Sequence, residues 1–150
     1  MEKQIENQRE QVTRNDYETV ANFLMNGDKK EVKEFLKHFN WEKFTEDTCE
    51  FMDIKFIRKY KDYIDWECIS EKQTLSEDFI REFADKVDWE FICDRFRLSE
   101  DFIREHKDYV DWEMIYVKYN LSEEFINEFK EYLAEYIDKY KDEQFTIIEV

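Results

Sequence analysis

The sequence predicts an all-α protein, a short α-solenoid of about five two-helix repeats of about 23 residues with degenerate caps at both ends. Three observations lead there. LSEDFIREFADKVDWEFICDRFR begins at Leu75 and returns as LSEDFIREHKDYVDWEMIYVKYN at Leu98, 23 residues later, and LSEEFINEFKEYL opens a third copy at Leu121. Within each copy the apolar residues recur at helical spacing. The 150 residues contain no proline and one glycine, as suits a chain that is helical throughout.

One copy explains its own two helices. Ser76 stands before two acids and is a good N-cap, because its hydroxyl accepts an orphan backbone N–H. Leu75 and Ile80 have the spacing of a hydrophobic staple. Glu77 and Asp78 lie where the helix dipole favours negative charge. Phe79, Ile80, Phe83 and Val87 form one apolar stripe, so a first helix is expected from about Glu77 to Lys86. Asp88 caps a second helix opened by Trp89, with Ile92, Cys93 and Phe96 on its apolar side. Neither helix can bury its face alone, so stacked neighbours must bury it.

Along the chain, residues 1–14 read as a polar arm and 15–27 as an N-terminal capping helix. Repeats are expected at 28–52, 53–75, 76–98, 99–121 and 122–143, with a tail at 144–150, all in a single domain 1–150. Gly27 stands where a left-handed helix-terminating residue is wanted. Asp28 and Glu31 form a capping-box pair, and Val32, Phe35 and Phe39 fall at core positions of a disguised repeat. Trp41, Trp66, Trp89 and Trp112 occupy one position, spaced 25, 23 and 23, so the two extra residues after Trp41 are expected as a longer turn near Thr45 to Thr48. Together with Phe79, Phe83, Phe102 and Phe125, these tryptophans are assigned to the structural core. The last copy decays after Leu133, with Ala134 or Glu135 where tryptophan would stand. The tail Phe145 to Val150 is apolar and is read as a C-terminal cap that folds back, with strand addition to a partner's sheet as the alternative.

Composition limits the function classes. No apolar run approaches the roughly 18 residues of a membrane span, and the first residues lack the apolar core of a signal peptide. Cys49, Cys68 and Cys93 show no CxxC spacing and read as free thiols in a reducing compartment, which puts the chain in the cytoplasm. There is no Gly-rich phosphate loop, HExxH or GxSxG motif, and no metal-spaced Cys/His set. Of the two histidines, His106 falls on the core stripe and His38 on the exposed side. No cofactor, metal or catalytic residue is expected, and the chain is not read as an enzyme.

The repeat unit, LSEDFIREF followed by a KVDWE-like step, resembles a tandem α-helical repeat found in proteins of large DNA viruses and phages, over roughly residues 28–140. The resemblance implies a viral or phage setting and engagement of host machinery, and it transfers no functional residue.

Charge is the remaining signal. Of the net −16, residues 76–150 hold 22 acids against 10 bases, leaving −12 there and −4 in residues 1–75. Stacked copies would align Glu82, Glu105 and Glu128 in one ladder and Asp85, Asp108 and Glu131 in another, about 8–10 Å between layers. Such a face would compete for a basic nucleic-acid groove by electrostatic complementarity. The expected partner is therefore a host protein, a nucleic-acid-handling defence enzyme blocked in anti-CRISPR fashion, with no direct nucleic-acid or membrane contact. Two other readings compete. Helix dipoles already account for Glu77, Asp78, Glu100, Asp101, Glu123 and Glu124, and Arg81 and Arg104 can pair at i+4 with Glu77 and Glu100. A general interaction scaffold would instead use apolar residues off the core stripe, such as Phe91 or Tyr116.

Overall fold

The computed structural model describes residues 14–141, and it is all-α, with eleven α-helices and no strand among the described residues. They are arranged as successive helix pairs in two compact units, Met1–Leu75 and Ser76–Val150, divided at a repeat boundary. The arm before residue 14 and the tail Phe145 to Val150 lie outside the described residues.

The first unit comprises α1 (Arg14–Asn26), α2 (Lys29–Leu36), α3 (Trp41–Thr48), a 3-10 turn (Cys49–Phe51), α4 (Ile54–Lys59) and α5 (Trp66–Lys72). Asp28, Asn40, Asp53 and Asp65 each accept backbone N–H groups at the start of the helix that follows. α1 is tied in at both ends. The Tyr17 hydroxyl accepts the Asp53 N–H at 2.8 Å, and the Tyr60 hydroxyl donates to the Leu24 carbonyl at 2.7 Å. Gly27 ends α1 without a positive φ, unlike the left-handed cap expected. Its reason is space: a Cβ there would lie 2.5 Å from the Phe23 carbonyl oxygen and 3.1 Å from Val32 Cγ2. α2 buries no residue fully, and Phe35 is 40% exposed, resting on Phe23 and Phe39.

The two extra residues after Trp41 do not form the loop expected. They lengthen α3 and add the 3-10 turn, with Thr45 and Thr48 fully buried and their hydroxyls donating to the Trp41 and Phe44 carbonyls. Packing of α5 on that turn brings Cys49 and Cys68 together as a disulfide, Cα atoms 6.3 Å apart. The free-thiol reading therefore holds for Cys93 alone. The missing CxxC spacing gave no sign of a pair that forms only once consecutive helix pairs stack.

The second unit comprises α6 (Glu77–Glu82), α7 (Trp89–Arg95), α8 (Glu100–Glu105), α9 (Trp112–Lys118), α10 (Glu123–Glu128) and α11 (Lys130–Tyr140). Ser76, Ser99 and Ser122 cap the first helices, and Asp88 and Asp111 the second. The first helices are shorter than predicted. α6 stops at Glu82 because Phe83 turns out of helical geometry, and a turn stabilised by Val87 N–H bonding the Phe83 carbonyl carries the chain to Asp88. Phe79, Phe83, Phe102 and Phe125 are buried, as are Ile80, Ile103 and Ile115. In the last copy α11 runs straight through the expected turn, so Ala134 and Glu135 are exposed on a continuous helix. Lys139 and Tyr140 both bond Glu113 of α9 and hold its carboxyl below the usual range.

Two outcomes follow. Unfolded without reductant the protein titrates one thiol, and after reduction three; loss of the 19-residue link lowers the stability of the first unit by about 3 kcal/mol in urea unfolding. Gly27→Ala destabilises by about 1–3 kcal/mol, read as a lower melting temperature, because the new methyl meets backbone.

Candidate interaction face

In the second unit the first glutamate and the arginine of the LSEDFIREF motif each bond the next copy. The Glu77 carboxylate accepts both the Ser99 N–H at 2.6 Å and the Ser99 hydroxyl at 3.0 Å. Glu100 does the same to Ser122, at 2.6 and 2.9 Å. A residue that the helix dipole alone seemed to explain is therefore a clamp on the following N-cap. Arg81 donates through Nε to Glu105 at 2.5 Å and through Nη1 to Asp78 at 3.0 Å, with its guanidinium 5.0 Å from the centre of the Phe102 ring. Arg104 repeats this on Glu128, Asp101 and Phe125, at 2.7, 2.8 and 5.1 Å. The i+4 pairs expected from sequence exist at 3.6 and 3.8 Å, longer than the bonds between copies.

This changes the predicted ladders. Glu105 and Glu128 are half-covered and bound by arginine, so they belong to the interlock between copies. Glu82 ends α6 and is exposed. Asp85 and Asp108 sit in the turns after α6 and α8, and Glu131 in the first turn of α11; all three are exposed, and none of their carboxylates bonds another described residue. They occur once per copy, at the same register.

All four tryptophans are half-buried rather than fully enclosed. The Nε1–H of Trp66, Trp89 and Trp112 donates to the carbonyls of Lys61, Ala84 and Lys107, at 2.8, 2.9 and 3.0 Å, fastening the turn that precedes each. An indole N–H needs a partner, and this one lies at the rim. Trp89 packs on Phe102, His106 and Tyr109, and Trp112 on Phe125, Phe129 and Tyr132. His106 is buried, stacked on Phe102 at 4.3 Å and bonded through Nδ1 to the Phe102 carbonyl; His38 is exposed. Burial pushes the Cys93 thiol above its ordinary range, and its sulfur accepts the Asp111 N–H at 3.5 Å. Tyr119 ties the end of α7 through the Phe96 carbonyl, and burial raises its hydroxyl likewise.

Phe91 and Tyr116 are half-buried. Among the described residues no group of three or more His, Cys, Asp or Glu is placed to hold a metal, and no helix is long and apolar enough to cross a membrane. One surface hollow is lined by Asp111, Glu113, Met114, Val117, Lys118 and Tyr140. The fold and this face define an all-α repeat protein. No protein-family model matches the chain, and no curated protein or solved structure matches it.

Ser99→Ala removes the side-chain cap and the hydroxyl half of the Glu77 clamp, leaving the backbone N–H bond to Glu77. It lowers the stability of the second unit by about 1–2 kcal/mol in chemical denaturation.

Proposed function

We propose that this is a non-enzymatic protein that binds a host protein through an acidic face of its C-terminal repeats and blocks a basic nucleic-acid-binding groove. The observation that carries the reading is the repeated exposure of Asp85, Asp108 and Glu131 on a unit with a net charge of −12. Glu105 and Glu128, of the other expected ladder, are spent largely on the arginine bridges. A groove evolved for phosphate would be steered toward such a surface and would bind it less tightly as salt rises. The viral or phage setting, and a nucleic-acid-handling defence enzyme as target in anti-CRISPR fashion, rest on the resemblance of the repeat motif.

A second reading, a general interaction scaffold working through apolar surface, is favoured by Val117, which is 56% exposed beside Met114. Affinity capture from host-cell lysate separates the two. A partner held by the acidic face is captured at low salt and released at high salt, and Asp85→Lys, Asp108→Lys and Glu131→Lys together abolish capture. Capture that persists at high salt and survives the triple reversal overturns the acidic reading and favours the scaffold.

A further inference from the structure

Large aromatic side chains left in water repeat with the same period as the core. Tyr63, Tyr109 and Tyr132 are 59, 52 and 42% exposed and share one repeat position. Each lies on the half-buried tryptophan of the preceding copy: Tyr63 on Trp41 at 5.3 Å, Tyr109 on Trp89 at 5.3 Å and Tyr132 on Trp112 at 4.9 Å. None of the three hydroxyls bonds another described residue. The ring positions are fixed from beneath, because the indole N–H groups of Trp89 and Trp112 are tied to the turn carbonyls. An exposed acid precedes each tyrosine, as Asp62, Asp108 and Glu131.

The bridges between copies of the same unit show what such a combination holds. Arg81 and Arg104 each rest on a phenylalanine ring with carboxylates at the guanidinium edge. On the surface of the second unit the ring and the carboxylate stand in adjacent residues, Tyr109 beside Asp108 and Tyr132 beside Glu131. We propose that the edge of the second unit formed by Trp89–Tyr109 and Trp112–Tyr132 binds a partner polypeptide through its arginine or lysine side chains. Each cation lies on a tyrosine face, and Asp108 or Glu131 meets its charge. This rests on the acidic-face reading and adds to it the aromatic half of the contact.

Chemistry selects this occupant over the alternatives. Cations are drawn to aromatic faces, more so where a carboxylate is near. A polynucleotide stacking its bases on the same rings would bring phosphates to a unit carrying −12. Lys107 and Lys130 precede the two acids and offset part of their charge, so the rings must supply much of the affinity. Successive copies stand about 10 Å apart. A polyproline II segment rises about 3.1 Å per residue with three residues per turn, so cations at every third residue lie on one side, about 9 Å apart, and match the two sites.

The test uses the full chain and a synthetic peptide with arginine at every third residue, separated by serine and glycine. Binding is followed by tyrosine and tryptophan fluorescence and by calorimetry. The peptide is expected to bind at least tenfold more tightly than one of equal composition with adjacent arginines. Tyr109→Ala with Tyr132→Ala should lose at least tenfold while the helical circular dichroism is kept. Should the alanine variants unfold, Tyr109→Lys with Tyr132→Lys replaces them, since lysine (Lys86) already stands at this repeat position. Peptide binding unchanged in a folded double variant overturns the proposal, and so does tighter binding of a single-stranded oligonucleotide. The two readings fail separately. If the tyrosine variants leave peptide binding intact but the acidic reversals abolish lysate capture, only the aromatic contact is lost. If the tyrosine variants weaken peptide binding while capture ignores the acids, the edge stands and the acidic-face reading falls.

Discussion

The second unit depends on bonds that join one copy to the next. Its first helices are six residues long, too short to persist alone in water. What holds them is the reach of Glu77 to Ser99 and of Arg81 to Glu105, repeated from Glu100 to Ser122 and from Arg104 to Glu128. Each arginine also covers a buried phenylalanine of the next copy, so one side chain serves both packing and charge. Exposed ion pairs contribute little singly. Here they are joined to caps and rings, and their main effect is on register: a helix displaced by one turn would lose cap, clamp and bridge together.

The first unit reaches the same end by other means. Tyr17 takes the Asp53 N–H, in the role that a glutamate has on Ser99, and Gln73 bonds the Met52 carbonyl at 3.1 Å. The disulfide between Cys49 and Cys68 adds a covalent tie. Where the sequence repeat is weakest, these hydrogen bonds and a crosslink add ties of their own.

The helices, their caps and the buried phenylalanines could be read from sequence, because capping and apolar periodicity are local and each copy restates them. Four things were not legible. The end of α6 at Glu82 depends on how Phe83 enters the core. Gly27 is required by the carbonyl of Phe23, one turn back in α1, and by the approach of Val32 on α2. The cysteine pairing needs two helix pairs stacked. The fate of the glutamates needed it too: Glu77 looked like a dipole residue and Glu105 like a surface acid, because their partners lie 22 and 24 residues away in the neighbouring copy. The sign of that arrangement was present all along in the serine, glutamate and arginine returning together every 23 residues.

The offsets of those bonds have a bearing on how such a chain can change over generations. Every clamp and bridge spans one copy and uses residue types that both neighbours carry. A crossover between matching points of the two coding stretches for 76–98 and 99–121 would add or delete a whole module, and each remaining arginine and glutamate would still meet its mate. An insertion of one or two residues inside a copy has no such escape and must be absorbed locally, as the 3-10 turn after α3 does in the first unit. Gain or loss of an entire binding step along the tyrosine edge is thus a single genetic event.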